Sequence, residues 1–180
     1  MNLKDKRAAV VVAHPDDEVL WFGGLLTACS NIDVICCSIP ETEPERAIKF
    51  QDVCNHLGCT YKLLPFVEVR GGHLKGLGYL TLDRYDIIYT HNHIGEYGHK
   101  HHIDVHEAVK RKFDGPIYVS GYGLPNDGIE NIDFNFAEKK SIIKLYNHMS
   151  HLLGVPKWME LLKRWGGQFN LEVEGYRREN

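Results

Sequence analysis

Ala13-His14-Pro15-Asp16-Asp17-Glu18 is the stretch from which the rest of the chain can be read. It follows Ala8-Ala9-Val10-Val11-Val12, a short apolar run with the character of a buried strand. It precedes Val19-Leu20-Trp21-Phe22-Gly23-Gly24-Leu25-Leu26, apolar enough for a packed helix in which the glycines allow close approach. A histidine and three acids therefore stand at a strand-to-helix turn. In an open α/β sheet, ligands and chemistry gather at the carboxyl ends of the strands. Three acids crowded together need a positive charge among them, and a divalent cation would supply it. The plainer reading is that Asp16 or Asp17 caps the next helix while Pro15 fixes the turn. Capping accounts for one acid and leaves His14 and the other acid unexplained.

The 180 residues suit one domain, expected over residues 1–180, with a full-sized core. A net charge of −3 without a clustered basic surface argues against a nucleic-acid partner. No apolar run approaches the length of a membrane span, and Met1-Asn2-Leu3-Lys4-Asp5-Lys6-Arg7 lacks an apolar signal region. A cytoplasmic protein is the expectation. Cys36, Cys37 and Cys54, three of the five cysteines, lie in apolar strand-like or helix-like contexts. They read as reduced core thiols, and adjacent cysteines are not a zinc spacing.

Apolar patterning predicts strands over 8–13, 32–39, 61–64, 86–90 and 116–120. Helices are expected over 17–29, 45–57, 99–112, 137–153 and 156–165, with Gly58 stopping the second. Residues 65–82 are Gly-rich and suggest no clear element, and the alternating tail 169–174 reads as a strand. Alternating strands and helices give an α/β, Rossmann-like fold, a mostly parallel sheet with helices on both faces. Right-handed crossovers then bring the strand ends to one rim, where residues 14–17 should meet the segment after the strand at 86–90.

That segment holds six of the eleven histidines: His91, His93, His99, His101, His102 and His106. On a helix starting near His99, residues 99, 102 and 106 share a face and His101 points elsewhere. Gly95 and Gly98 would let the backbone turn tightly before it. A solvated polar face explains an isolated histidine better than it explains six within sixteen residues. His14, Asp17 and one helix histidine make two imidazoles and a carboxylate. Catalytic zinc takes three protein ligands and keeps a position open, whereas a closed structural site usually draws on cysteine.

At these residues the chain resembles the PIG-L/LmbE-like family of zinc-dependent N-deacetylases. Residues 13–18 carry that family's A-H-P-D-D-E signature, and His99-Lys100-His101-His102, preceded by Gly95-Glu96-Tyr97-Gly98, matches its later H-x-x-H element. The likeness covers about residues 8–150. It implies zinc held by His14, Asp17 and His102, with another divalent metal such as Fe2+ as the variant. It also implies Asp16 as general base, His99 and Tyr97 at the oxyanion and leaving amine, and Arg46 as a substrate-binding residue. The implied reaction is removal of an N-acetyl group from an amino sugar of the N-acetylglucosamine type, or from a related small amide. Three positions depart from the pattern. Lys100 replaces a usual proline, His101 replaces an acid that in the family tunes the neighbouring histidine, and Lys49 replaces a frequent Glu. The chain is shorter than many members, which implies a more open pocket or one completed by a second copy in a homo-oligomer.

The chemistry is coherent on the residues themselves. A divalent metal polarises a carbonyl and acidifies water, while Asp16, whose side chain diverges from its neighbour Asp17, is left to take a proton. Two rival readings differ in class. His14-Pro15-Asp16 with a distant histidine is also an Fe(II) facial-triad pattern, though such a triad is expected on an all-β fold. A non-catalytic sugar- or nucleotide-binding module could use the same fold, but no Gly-rich phosphate fingerprint follows the first strand.

Overall fold

The computed structural model describes residue 3 and residues 5–29, 31–39, 44–69, 72–149 and 174–179. Eight strands form one sheet: β1 (Ala8–Val12), β2 (Ile32–Ser38), β3 (Tyr61–Val69), β4 (His73–Lys75), β5 (Ile87–Thr90), β6 (Ile117–Ser120), β7 (Ile129–Ile132) and β8 (Glu174–Glu179). Their order across the sheet is β4-β3-β2-β1-β5-β6-β8-β7. The run β3-β2-β1-β5-β6 is parallel, while β4, β8 and β7 pair antiparallel with their neighbours.

The α-helical elements are α1 (Asp17–Ala28), α2 (Glu45–Leu57), the distorted single turn α3 (Gly95–Gly98), α4 (Lys100–Lys112) and α5 (Phe136–Ile143). The side-chain alternation of β1 distributes the core to both faces of the sheet. Ala9, Val11 and Ala13 join Val105, Ala108 and Val109 of α4 on one face. Ala8, Val10 and Val12 join Phe22, Leu25 and Leu26 of α1, with Phe50 and Cys54 of α2, on the other. A strand buried on both faces reads as a continuous β-branched run, as residues 8–12 do.

Helix α1 packs closely on α5 and the segment before it because of its glycines. A Cβ on Gly24 would stand 2.6 Å from the Phe134 ring, a distance no real side chain tolerates. All five cysteines are free, and Cys36, Cys37 and Cys54 are buried, as expected for core thiols. Among the described residues, no helix is long and apolar enough to cross a membrane.

Several boundaries differ from the sequence reading. Strand β3 runs on to Val69, and β4 with a 3-10 turn (Leu77–Tyr79) fills the Gly-rich stretch. The helix expected over 137–153 is α-helical only to Ile143 and continues as a 3-10 turn over Lys144–Met149. Residues 150–153, the helix expected over 156–165 and residues 169–173 lie outside the described residues. The strand expected near the tail begins at Glu174.

The chain reverses its direction of progression across the sheet at β1, which lies between β2 and β5. In such sheets the crevice beyond the carboxyl ends of the two central strands is the ligand site. Here the loops after β1 and β5 carry His14–Asp17 and His91–His99.

Candidate metal centre

Asp16 occupies the N-cap position of α1, and its side chain makes no capping hydrogen bond. The capping reading is thereby corrected for Asp16. Its backbone lies at φ 106°, ψ −28°, a left-handed conformation that costs a non-glycine residue energy. Glu18 holds that conformation: its Oε2 accepts the Asp16 N–H at 2.8 Å, and its Oε1 accepts the Tyr146 hydroxyl. The twist aims Asp16 away from the helix end. Arg46 of α2 lies 2.8 Å from Asp16 Oδ2 and donates to the Pro15 carbonyl at 2.6 Å. The buried Oδ1 has no hydrogen-bond partner among the described residues. Burial pushes the Asp16 carboxyl up to about 6, against the pull of Arg46.

Asp17 turns inward. Its Oδ2 accepts the His14 N–H at 2.9 Å, and its Oδ1 accepts the Trp21 indole N–H at 3.0 Å. Around it stand His14 Nδ1 at 3.4 Å, His102 Nε2 at 3.3 Å and His91 Nε2 at 3.5 Å. Burial would raise its pKa, but the imidazoles of His102, His14 and His91 outweigh burial and hold Asp17 well below the usual carboxylate range.

The loop after β5 orients these imidazoles. Gly95, Glu96 and Gly98 all have positive φ, so the backbone folds back on itself before α4. Glu96 is buried beneath the histidines. Its Oε2 lies 2.7 Å from His102 Nδ1 and 3.1 Å from His91 Nδ1, and its Oε1 accepts the Asn92 N–H. Burial alone would raise the Glu96 pKa, but His91 and His102 bring it down to about 2. An ionised acceptor at Nδ1 leaves neutral His102 with its lone pair on Nε2. The His91 ring stacks on His102 with its own Nδ1 on Glu96. Its Nε2 accepts the Ala13 N–H at 3.0 Å, so that nitrogen is already engaged.

His102 Nε2 is buried, has no hydrogen bond among the described residues, and faces Asp17 Oδ1 at 3.3 Å. Two lone-pair bearers at that distance, both out of water, need a positive charge between them. A donor set of imidazole and carboxylate suits zinc and other first-row divalent cations. The cluster draws in positive charge even without metal. Burial lowers the pKa of His102 and of His14, yet neighbouring acids raise both overall: Asp17 and Glu96 for His102, Asp17 and Glu68 for His14.

The structure brings His14, Asp16, Asp17, His99 and His102 together, with Arg46 on Asp16. Three groups of ligand atoms lie within 4.8 Å of one another: His14/His99/His102, Asp17/His91/His102 and His14/Glu68/His101. Tyr97 stacks its ring edge toward His99 and His102. Its phenol is driven upward by burial and so keeps its proton. His99 is brought down to about 3 by burial and by the imidazoles of His102 and His14, so it is neutral.

Two expectations about the helix face fail. His106 does not join the cluster; its Nδ1 lies 2.9 Å from the His91 carbonyl and its Nε2 points to Glu179 at 3.4 Å. His101 does not point away; its Nδ1 lies 2.8 Å from His14 Nε2. His99 is the extended N-cap and α4 begins at Lys100, so His101 sits in the first turn facing the loop after β1. Sequence reading also passed over Glu96, Glu68 and Asn92. An acid within the histidine run was the one signal that could have flagged Glu96.

Comparison with known proteins rests on shape alone. No family model matches the chain, and no curated protein matches it by sequence. Among solved structures, a conserved protein TT1542 from Thermus thermophilus is similar at TM-score 0.69, 15% identity, 97% of this chain and 95% of the other. GalB, the 4-carboxy-2-hydroxymuconate hydratase from Pseudomonas putida, is similar at TM-score 0.69, 13% identity and 97% and 96% coverage. The zinc-inhibited form of the teicoplanin deacetylase Orf2 is similar at TM-score 0.68, 13% identity and 96% and 97% coverage. The chain has the fold of these proteins. That fold carries a hydratase as well as a deacetylase, so the reaction has to be argued from the site.

Proposed function

We propose that this protein is a metal-dependent N-deacetylase, and that His14, Asp17 and His102 hold its divalent cation, zinc being the first candidate. The observation that carries this reading is His102 Nε2, buried without a hydrogen bond among the described residues and 3.3 Å from Asp17 Oδ1, with Asp16 Oδ1 likewise unpartnered and able to accept a proton. The likeness in fold to a teicoplanin deacetylase supports it. The substrate class is a small N-acetylated molecule, an amino sugar of the N-acetylglucosamine type or a related amide.

A divalent cation held by His14, Asp17 and His102 would supply Lewis acidity, polarising the acyl carbonyl and making water more acidic. Asp16 takes the proton from the attacking water at Oδ1. Arg46 holds the other oxygen, so the carboxylate cannot swing away. Tyr97, protonated, and His99, neutral, each have one hydrogen to donate to the oxyanion as the carbonyl carbon becomes tetrahedral. One such donor is worth about 2.7–4 kcal/mol to the transition state. Asp16 then returns the proton to the nitrogen, the C–N bond breaks, and acetate and a free amine leave. The role of Arg46 therefore includes orienting the base as well as meeting the substrate.

The test is acetate release from a panel of N-acetyl sugars by zinc-loaded protein, with Asp16→Asn as control. Acetate from the wild type and little from the variant is the expected result. Sugar binding without acetate release would replace the enzyme by a binding module.

A further inference from the structure

The departure at position 101 acquires a purpose in the structure. A neutral imidazole carries one proton, and which nitrogen holds it decides which one can bind a metal. For His102 the choice is made by Glu96 at Nδ1. For His14 the corresponding contacts are on the opposite nitrogen. His14 Nε2 lies 2.8 Å from His101 Nδ1 and 3.4 Å from Glu68 Oε1. His14 Nδ1 looks the other way, toward Asp17 Oδ2.

We propose that His101 and Glu68 are positioning residues for His14: they accept its Nε2–H and so turn its Nδ1 lone pair toward Asp17 and His102. The inference rests on the reading of His14 as a metal ligand. Glu68 comes from β3 and His101 from the first turn of α4, so two elements grip the ring from outside the crevice. Asp16, the other acid after β1, is turned toward Arg46 instead. A histidine in place of an acid at position 101 thus serves the first ligand of the centre.

The same three atoms could instead be a second ion seat, and the distances decide against it. Two nitrogens on one tetrahedral zinc, each at about 2.0–2.1 Å, stand about 3.3 Å apart. The separation of 2.8 Å between His14 Nε2 and His101 Nδ1 is that of a hydrogen bond. Neither nitrogen is left without a partner, in contrast to His102 Nε2.

Zinc affinity measured by chelator competition tests the proposal without reference to turnover. Partners of ligating histidines typically contribute about 10–100-fold in affinity. His101→Ala and Glu68→Ala should each weaken zinc about 10-fold, because the other acceptor remains, and the double variant about 100-fold. His101→Gln, whose amide oxygen also accepts, should recover most of the loss. Stoichiometry should stay at one ion per chain. The visible spectrum of the Co2+ form should change in His101→Ala, which a merely structural residue would not cause. Melting of the metal-free proteins reports whether each variant folds, and His101→Leu with Glu68→Met, which likewise lack an acceptor, serves if the alanine variants do not. Unchanged affinity and an unchanged Co2+ spectrum in a folded double variant would overturn the proposal. So would two ions in the wild type falling to one in His101→Ala with the tight site untouched, since that assigns a second seat. If His14→Ala itself leaves zinc binding intact, the ligand reading has failed instead.

Discussion

Helix α1 carries a buried ionic cluster at its start and another along its body, and the two are built on opposite principles. Along the body, Glu174 of β8 is almost inaccessible, and so is Lys139 of α5. Glu174 receives Lys139 Nζ, the N–H groups of Gly24 and Leu25, and the Tyr176 hydroxyl. Its charge is neutralised within the chain and its lone pairs are filled. At the helix start, Asp16, Asp17 and Glu18 are equally buried, Arg46 meets Asp16, and His102 Nε2 is left facing a carboxylate. The comparison teaches how to tell a structural ion pair from a functional centre. Burial is common to both, and the second leaves donor atoms that no described group of the protein satisfies.

The comparison can be broken most decisively at His102. His102→Ala should reduce zinc content and acetate release to background while the metal-free protein melts within a few degrees of wild type. Metal analysis and calorimetry on one preparation check this, and early melting with zinc retained would make the cluster structural after all. Asp16→Asn should cost about 10²–10⁴-fold in kcat with zinc still bound, as loss of a general base does. An emptied site in that variant would exchange the roles of the two neighbouring acids.

The other cluster should answer in stability instead. Lys139→Met leaves the Glu174 carboxylate buried without its cation, a change that costs about 3–5 kcal/mol. Urea unfolding should show that loss, while zinc affinity of the folded variant stays at the wild-type value. The last test concerns Glu18. Burial pushes its carboxyl up to about 8, despite the Tyr146 hydroxyl, from an ordinary value of 4.5. The folded state therefore binds more protons than the unfolded state between those values, and stability falls as pH rises through that window. The contribution is fully present below about pH 4.5 and gone above about pH 8. Glu18→Gln imitates the protonated acid and should flatten the pH dependence of unfolding in the metal-free protein. An unchanged slope would mean that Glu18 is ionised when buried.

What the sequence made legible follows physical locality. Helix α2 is where the periodicity put it, Glu45 to Leu57, because its apolar face and its stop at Gly58 are local signals. The β-branched run of β1 and the acids after it pointed to the rim for the same reason. Strand β7, Ile129-Glu130-Asn131-Ile132, was missed because four half-exposed residues of an edge strand carry no apolar period. Strand β8, rich in charge, finds its place only through partners in β6 and β7. In the site, His14 with the acids after it and the histidine run stood out by type and spacing, and the family resemblance singled out His102. Glu96, Glu68 and the inward turn of His101 did not, since each depends on a contact across the fold. The helix wheel grouped His106 with His99 and His102, and His106 instead meets the His91 carbonyl and Glu179, contacts across the fold that the wheel does not contain.

The position of β8 has a consequence for how the molecule is made. In space β8 lies between β6 and β7, but in the chain it follows both. A nascent chain emerging as far as Ile132 already contains the five parallel strands and every proposed ligand. Its β7 has no neighbour to bind until β8 has been synthesised and threaded against β6. Synthesis proceeds at roughly 5–20 residues per second. For several seconds the growing protein thus carries every proposed ligand beside an open sheet edge, and β8 then closes that edge from within.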